Sequence, residues 1–167
     1  MADERLGYGA LYSVDYMRAI SEALVCWVGL EWMAVNCAKH YDADFINRIR
    51  KLPVKNPGPS DKQTWTGGVI AREFLNLAQN DVLCPDGRLA KAAQVFKDLV
   101  PSRNDLFHAS PAASEEDPRI GTLYDLKRSR RITIKDIQVF GDQAAICSSE
   151  LNFLFYNYLR PDLLAKS

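Results

Sequence analysis

The first third of the chain carries apolar residues at steps of three and four, which is the period of an amphipathic helix. Ser13 precedes this run and can cap the helix with its hydroxyl. The stripe consists of Tyr16, Met17, Ile20, Leu24, Trp27, Leu30, Ala34 and Cys37. It predicts a long core helix. Four more apolar residues widen the stripe, so we expect the helix to be central and covered on more than one side: Val25, Val28, Trp32 and Val35.

Two further segments follow with helical periodicity and helix-ending residues. Residues 45–52 predict a short basic helix that Pro53 ends, because proline cannot continue a helical hydrogen-bond pattern. Residues 65–80 predict another helix, which Ser60 or Asp61 can cap after a loop rich in proline and glycine. The first half of the chain is therefore predicted to be helical.

Residues 89–100 have the pattern of an amphipathic helix, and Pro101 follows directly. We expect Pro101 to stop this helix, since the residue before a proline is biased away from helical geometry. Ser102 and Asp105 then have the spacing of a capping box. A new helix is therefore predicted to begin at Ser102 and to carry residues 103–108 in its first two turns.

The remainder of the chain predicts a loop, a hairpin and a last helix. Residues 110–118 are polar and acidic, as in a solvent-facing loop. Residues 122–126 and 131–134 are short extended runs that can pair as a β-hairpin. A long apolar helix begins at Asp136 and ends before Pro161. The predicted fold is all-α, a four- to five-helix bundle with a small β-hairpin inserted before the last helix.

Composition agrees with a folded protein of one domain, residues 1–167. The chain has 167 residues and is 47% hydrophobic, enough to bury a core without a disulfide or metal staple. The cysteines are widely spaced and form no CxxC pair, so they predict reduced and mostly buried thiols: Cys26, Cys37, Cys84 and Cys147. We expect no metal and no cofactor.

The charge balance and the N-terminal sequence bear on partners and location. Lys plus Arg and Asp plus Glu both number 21, so no net field attracts nucleic acid and any RNA contact must be local. The N-terminus lacks the basic start and apolar run of a signal peptide. The most apolar stretch, residues 23–30, is bounded by Glu22 and Glu31 and is shorter than the ~20 residues of a membrane span. We expect a cytoplasmic protein with no membrane partner.

The hexapeptide 103–108, Arg-Asn-Asp-Leu-Phe-His, is the strongest candidate for chemistry. On an ideal helix Asn104 and His108 are roughly 40° apart and share one face. Arg103 is about 140° from His108, but its long side chain can reach forward. At the start of a helix, free backbone amides and the positive end of the dipole also favour an anion. This arrangement predicts a phosphate site.

Arg103 and His108 supply the groups that a metal-free RNA cut requires. Such a reaction needs a base for the 2′-hydroxyl proton, an acid for the leaving oxygen and a cation for the charge on phosphorus. One histidine does not easily serve as base and acid on opposite sides of the phosphorus. A symmetric homodimer that joins two copies of the hexapeptide would complete the site.

The same residues resemble the signature of the HEPN domains, named for higher eukaryotes and prokaryotes nucleotide-binding. That signature is Arg, a polar residue that is usually Asn, three to five others, and His. Arg103, Asn104 and His108 match it, and the family's four- or five-helix bundle resembles the predicted layout. The resemblance implies a metal-independent endoribonuclease that dimerises across the motif, such as a toxin of a toxin-antitoxin or phage-defence system with a cognate antitoxin. Other members are inactive and bind nucleotides or proteins.

Several residues of this region have a structural alternative. Asn104 can help to cap the helix instead of contacting substrate, and Asp105 is predicted to be a cap and not an acid catalyst. Glu31 can pair with Arg103 across the bundle, because a half-buried carboxylate requires a cation or donors, or it can lie at the surface.

The predicted hairpin tip is basic and gives a candidate RNA-backbone contact. Each cation that meets a phosphate adds salt-dependent affinity. Charged hairpin tips are also common as solvated surface. The candidate RNA-binding residues are Lys127, Arg128, Arg130 and Arg131.

Overall fold

Five α-helices and one three-stranded antiparallel sheet make up residues 12–52, 67–115 and 120–166, the part that the computed structural model describes. The helices are α1 (Val14–Tyr41), α2 (Phe45–Arg50), α3 (Gly67–Ala78), α4 (Arg88–Phe107) and α5 (Ile134–Leu154). The strands are β1 (Ser110–Ala113), β2 (Gly121–Asp125) and β3 (Arg130–Ile132). The predicted fold class, a helical bundle with a small β insertion, is confirmed.

The first helix begins where the sequence indicates. The Ser13 hydroxyl accepts a hydrogen bond from the Tyr16 backbone N–H at 3.2 Å, which caps α1. The inner face of α1 is buried, with Trp27 and Leu30 at its centre. The Trp27 ring packs against Phe96 and Phe140, so one aromatic residue of α1 joins α4 and α5 in a common core.

The α5 helix runs parallel to α1, and α4 runs antiparallel to α5. Gly141 lies against Ala23, and Gly29 lies opposite Ser148, so the numbering of α1 and α5 increases in the same direction. The numbering of α4 and α5 increases in opposite directions. Arg88 Nε, at the start of α4, donates to Glu150 near the end of α5 at 2.8 Å. One turn later in α4 and one turn earlier in α5, the Cys147 thiol donates to the carbonyl of Ala92 at 3.4 Å.

The second apolar side of α1 is not covered. Val25, Val28 and Trp32 are 71%, 55% and 61% exposed. Met17 and Leu24, which the sequence pattern places in the buried stripe, are each 38% exposed. The prediction that α1 is central and contacted on more than one side is confirmed, since α1 packs against both α3 and α5. The part of the stripe formed by Val25, Val28 and Trp32 is nevertheless left exposed.

The α4 helix passes through Pro101 without interruption. The predictions that Pro101 stops a helix and that Ser102 and Asp105 cap a new one are both wrong. Leu99 is buried and Leu106 is partly buried against the core on either side of Pro101. This packing offsets the backbone hydrogen bond that an internal proline removes, a loss of about 3 kcal/mol in an isolated helix.

The sheet has the order β1-β2-β3, with β2 in the centre. β2 and β3 form the predicted hairpin. The additional strand β1 lies in a segment predicted to be a loop, where Pro111 pairs opposite Leu123. Proline is compatible with this position because β1 is an edge strand.

The Tyr16 hydroxyl joins the sheet to α1. It donates to the carbonyl of Ile132 at 2.7 Å and accepts the backbone N–H of Leu123 at 2.9 Å. Tyr16 is 5% exposed. One side chain of α1 therefore bridges β2 and β3 and sets the position of the hairpin.

The last helix begins with a reciprocal cap. The Thr133 hydroxyl accepts the Asp136 backbone N–H, and the Asp136 carboxylate accepts the Thr133 backbone N–H. The helix therefore begins at Ile134, two residues before the predicted start. A π-helical turn over Phe155–Leu159 and a 3₁₀ segment over Pro161–Lys166 follow α5.

Other predictions have mixed outcomes. The short helix α2 is present as predicted. Cys37, Cys84 and Cys147 are buried and Cys26 is half-buried, and all are free thiols, as predicted. The residues predicted to end α2, to cap α3 and to begin it lie outside the described residues: Pro53, Ser60, Asp61 and Trp65.

One described helix, α1, is long and apolar enough to cross a membrane by length and composition. Core helices of water-soluble proteins meet the same criterion. In this structure the inner face of α1 is part of the hydrophobic core.

Candidate functional site

The hexapeptide 103–108 lies at the end of α4, in its last turns and at its C-cap. The Arg103 side chain extends towards the end of the helix, so its guanidinium lies over the Phe107 ring, 4.5 Å from the centroid. Arg103 Nη1 donates to Asn104 Oδ1 at 3.1 Å. The expected forward reach of Arg103 is thus present, and two neighbouring side chains hold it.

Arg103 retains hydrogen-bonding capacity. Its Nε is buried and has no hydrogen-bond partner, and no carboxylate of the described residues lies within ion-pair distance of its guanidinium. A buried N–H without a partner costs roughly 1–3 kcal/mol. The guanidinium is therefore held by a ring face and an amide oxygen, while other donors stay available for an acceptor.

Glu31 of α1 is the carboxylate that influences Arg103 from across the bundle. Burial raises the pKa of Glu31, while the Trp27 indole and the Arg103 charge act in the opposite direction. A Cβ on Gly67 would overlap Glu31 Oε1. Glu31 is thus half-buried against α3, and it forms no direct ion pair with Arg103 in the described structure.

His108 is exposed and forms the C-cap of α4. Its backbone N–H donates to the Asn104 carbonyl at 2.9 Å, which confirms that the two residues are one helical turn apart. The last carbonyls of a helix favour cations and not anions. The expectation that free N-terminal amides help to bind a phosphate is therefore wrong, and an anion here must be bound by side chains.

The basic hairpin tip is largely engaged in ion pairs. Arg128 Nη1 lies 2.7 Å from Asp105 Oδ2, and Arg130 Nη1 lies 3.1 Å from Asp136 Oδ2. Asp105 thus receives a cation from the hairpin and does not cap a helix.

The other two basic residues of the tip differ from each other. Arg131 pairs with Glu115 and donates from Nε to the Ala113 carbonyl at 3.0 Å. Lys127 has no ion pair of its side chain among the described residues. Of the four candidate RNA-binding residues, only Lys127 thus presents a cation that no described carboxylate neutralises.

Asp125 organises the hairpin turn from a buried position. It is 4% exposed, and its Oδ1 accepts the backbone N–H groups of Lys127 and Arg128 at 2.9 and 3.1 Å. Its Oδ2 lies 3.9 Å from Arg128 Nε. Arg128 therefore stands between two poorly solvated carboxylates, Asp105 and Asp125, and connects the hairpin to the end of α4.

A cavity of about 290 Å³ opens between the end of α4, β3 and the start of α5. Ser102 and Asp105 line it from α4, and Arg128, Arg130 and Lys135 contribute cations. Arg103, Phe107 and His108 do not line it. The cavity and the side chains of Arg103, Phe107 and His108 thus share one helix end but occupy different faces of it.

The buried thiols are unsuited to nucleophilic catalysis. Burial raises the pKa of Cys84 and of Cys147 to about 12 and also raises that of Cys37, so all three stay protonated near neutral pH. Among residues 12–52, 67–115 and 120–166, no three His, Cys, Asp or Glu side chains are grouped to hold a metal ion.

Sequence reasoning omitted two residues of this region. Phe107 is four positions after Arg103 on one helix, a spacing that brings side chains together, so it could have been found. Asp125 had no such signal, because its importance comes from a turn that forms only in the folded hairpin.

Comparison with known proteins gave no relative: no protein-family model, no curated protein sequence and no solved structure matches the chain. The geometry of residues 103–108 and their resemblance to the HEPN signature therefore remain as the guides to function.

Proposed function

We propose that this chain is a metal-independent endoribonuclease whose catalytic residues are Arg103, Asn104 and His108. The observation that carries the proposal is the pairing of an exposed imidazole with a guanidinium that still has free donors, at one helix end. Arg103 lies over Phe107, the residue next to His108, so the cation and the imidazole belong to the same short segment.

The proposed reaction is an attack of the RNA 2′-hydroxyl on the adjacent phosphorus. A bond forms between the 2′-oxygen and phosphorus, and the bond from phosphorus to the 5′-oxygen of the next nucleotide breaks. A neutral imidazole of His108 accepts the 2′-hydroxyl proton, and a protonated one donates to the leaving oxygen. Arg103 stabilises the negative charge on the phosphoryl oxygens. Asn104 positions Arg103 through its side-chain oxygen.

Both proton transfers together require two imidazoles, and each chain contributes one His108. A homodimer with a two-fold axis between the hexapeptides supplies both, because a symmetric interface brings the same surface of each copy together. His108 is exposed at the end of α4 and thus open to a second copy. We therefore propose a composite active site at a homodimer interface.

The biological setting is proposed from the resemblance to HEPN domains alone. On that basis the protein is a cytoplasmic toxin of a toxin-antitoxin or phage-defence system, with RNA as substrate and a cognate antitoxin protein as partner. Lys127, with Arg128, Arg130 and Arg131 beside it, is the proposed RNA-backbone contact.

The test is cleavage of RNA by the purified full-length chain in the presence of EDTA. Arg103→Ala and His108→Ala should each abolish cleavage, because each removes a group that acts in the transition state. His40→Ala is the matched control, since His40 is the other histidine of the chain and is exposed near the end of α1. Cleavage that survives both substitutions, or that His40→Ala also abolishes, would refute the proposal.

A second candidate function is a catalytically inactive nucleotide-binding or protein-interaction module. The ion pairs of the hairpin arginines favour it, because they reduce the positive surface available to an RNA backbone. The net charge of zero favours it as well. Calorimetric titration with nucleotides, together with absence of RNA cleavage, would support this alternative. Cleavage that depends on His108 would exclude it.

A further inference from the structure

The cavity at the end of α4 presents polar groups that form no hydrogen bond with the described part of the chain. It holds about 290 Å³, close to the lower end of the roughly 300–1,000 Å³ of small-molecule sites. Ser102 borders it from α4 and Gln143 borders it from α5. Neither side chain has a hydrogen-bond partner among residues 12–52, 67–115 and 120–166. The cavity therefore has room for one small molecule and polar groups to bind it.

Asp105 is a poorly solvated hydrogen-bond acceptor in the wall of this cavity. Its side chain is 13% exposed, and its Oδ2 is buried without a hydrogen bond. Arg128 Nη1 lies 2.7 Å from this oxygen and balances its charge, but the pair lacks the alignment of a hydrogen bond. A buried acceptor without a donor is unfavourable. A ligand that brings N–H groups to Asp105 therefore satisfies a group that the fold leaves unsatisfied.

The walls between these polar groups are apolar. Leu106 of α4 and Ile137 and Val139 of α5 line the cavity, and Val139 is 47% exposed. A ligand with two apolar faces and a hydrogen-bonding edge meets both kinds of wall. Nucleobases have this chemistry, and proteins recognise unstacked bases through ring contacts and hydrogen bonds to the base edge.

The cavity also has one cation in excess. Its charged residues include two ion pairs, Arg128 with Asp105 and Arg130 with Asp136. Lys135 lines the same cavity, is exposed, and has no ion pair among the described residues. A lysine ammonium is a common binding group for phosphate. A base edge at Asp105 and a phosphate at Lys135 together describe one nucleotide.

Guanine has the donor pattern that best fits Asp105. Its N1–H and its N2 amino group are adjacent on one edge, so a single carboxylate can accept hydrogen bonds from both. Adenine, cytosine and uracil place an acceptor beside each donor on the same edge. One of those acceptors would face the carboxylate and repel it.

We propose that this cavity is a subsite for one guanine nucleotide of the RNA substrate, with Asp105 accepting the guanine edge and Lys135 binding a phosphate. Asp105 directly follows Asn104 on α4, so the subsite and the proposed catalytic residues belong to the same helix end. The base must leave its stack to enter the cavity, so the preferred substrate is single-stranded RNA that is cleaved next to guanosine. This subsite rests on the proposed ribonuclease activity, because it selects the nucleotide beside the cleaved bond.

The test compares cleavage in EDTA of uridine oligonucleotides that carry one guanosine, inosine or adenosine at the same position. Inosine keeps N1–H but lacks the N2 amino group. We expect the wild type to cleave beside guanosine about tenfold or more faster than beside adenosine, with inosine between them. Asp105→Asn should reduce the three rates to within about twofold of each other, because an amide offers one acceptor and one donor.

Two further variants separate base recognition from other effects. Asp98→Asn is the matched control, since Asp98 is exposed on α4 and does not line this cavity, and it should keep the preference for guanosine. Lys135→Ala leaves the pair of Asp105 with Arg128 in place. It should raise KM severalfold and keep the preference, so it tests the subsite even if Asp105→Asn does not fold, which circular dichroism verifies.

Calorimetric titration with guanosine monophosphate and uridine monophosphate distinguishes failure of the subsite from failure of the ribonuclease. The wild type should bind the guanosine nucleotide more tightly, and Asp105→Asn should lose the difference. Cleavage that requires His108 but shows no preference for guanosine, or a preference that Asp105→Asn retains, would overturn the subsite alone. Selective binding of guanosine monophosphate that depends on Asp105, in a protein that cleaves no RNA, would support guanine recognition by the cavity and refute the ribonuclease.

Discussion

The guanidinium of Arg103 lies 4.5 Å from the centroid of the Phe107 ring. Phe107 is 43% exposed, so its ring contributes more to holding the Arg103 guanidinium than to the hydrophobic core. Contacts of this kind contribute about 0.5–1 kcal/mol at exposed sites. The end of α4 is therefore a place where an exposed aromatic ring determines the direction of a cation.

Replacing Phe107 should reduce RNA cleavage more than stability. Phe107→Leu removes the π face that holds Arg103, so we expect cleavage about two- to fivefold slower, the rate equivalent of that contact. Phe107→Tyr keeps the ring and should retain near-wild-type cleavage. The measurement is the initial cleavage rate with EDTA, alongside urea denaturation. Equal rates for the leucine and tyrosine variants would contradict this role.

Removing Arg128 should destabilise the fold. Asp105 and Asp125 are poorly solvated and have Arg128 as their neighbouring cation. Arg128→Ala leaves both carboxylates without it, and since Arg128 is itself half-exposed we expect a loss of about 1–2 kcal/mol in the free energy of unfolding. Lys127→Ala is the control at the adjacent position and should change stability by less than about 0.5 kcal/mol. If both variants denature at the same urea concentration, Arg128 has no such structural role.

Neutralising Glu31 should change the pH dependence of stability. Burial raises the pKa of Glu31 above its usual 4.5, so the folded state holds a proton that the unfolded state has released. The contribution of Glu31 to the free energy of unfolding is therefore most favourable at low pH, and it decreases as pH rises from 4.5 through the folded-state pKa. Glu31→Gln removes that decrease, so its stability relative to wild type should increase over the same range.

The measurement for Glu31 is urea denaturation at a series of pH values on both sides of that range. Glu22→Gln is the control, because Glu22 lies on the same helix and is exposed. Its difference from wild type should stay constant with pH. A Glu31→Gln difference that is equally flat would show that burial does not affect this carboxylate.

Substituting alanine for two different glycines should change the stability of the protein in opposite directions. A Cβ on Gly141 would lie 3.1 Å from Ala23 Cα, a backbone atom that cannot move alone. Gly141→Ala should therefore separate α1 from α5 and cost about 1–3 kcal/mol. A Cβ on Gly29 would meet only Ser148 Oγ, at 3.7 Å. Gly29→Ala should stabilise α1 by up to about 1 kcal/mol through helix propensity. Thermal denaturation distinguishes the two, and the same sign for both would contradict the close approach at Gly141.

The sequence predicted elements well where a signal is local. The Ser13 cap, the period of α1 and the β2-β3 hairpin depend on residues close together in the chain. Pro101 and Pro111 show the limit of this reasoning. Proline disfavours both helix and strand locally, yet α4 continues through Pro101 because of its packing, and β1 accepts Pro111 because it is an edge strand.

The candidate site was likewise predicted only where the signal is local. From sequence alone, Arg103, Asn104 and His108 were identified as a group with suitable chemistry and spacing. Their place at the C-terminal end of a helix was not predicted, and it removes the backbone amides from the proposed anion site. The engagement of Arg128 with Asp105 also could not be foreseen, since more than twenty residues separate them in the chain.

The sequence by itself determined the fold class, most of the helices, the β2-β3 hairpin and the chemical character of residues 103–108, because helix period, caps and residue types are properties of short segments. Tertiary structure alone decided which of the two apolar sides of α1 is buried, which basic residues remain unpaired and which end of a helix carries His108. Those outcomes depend on distant elements that compete for the same surfaces, and burial is determined by all of them together.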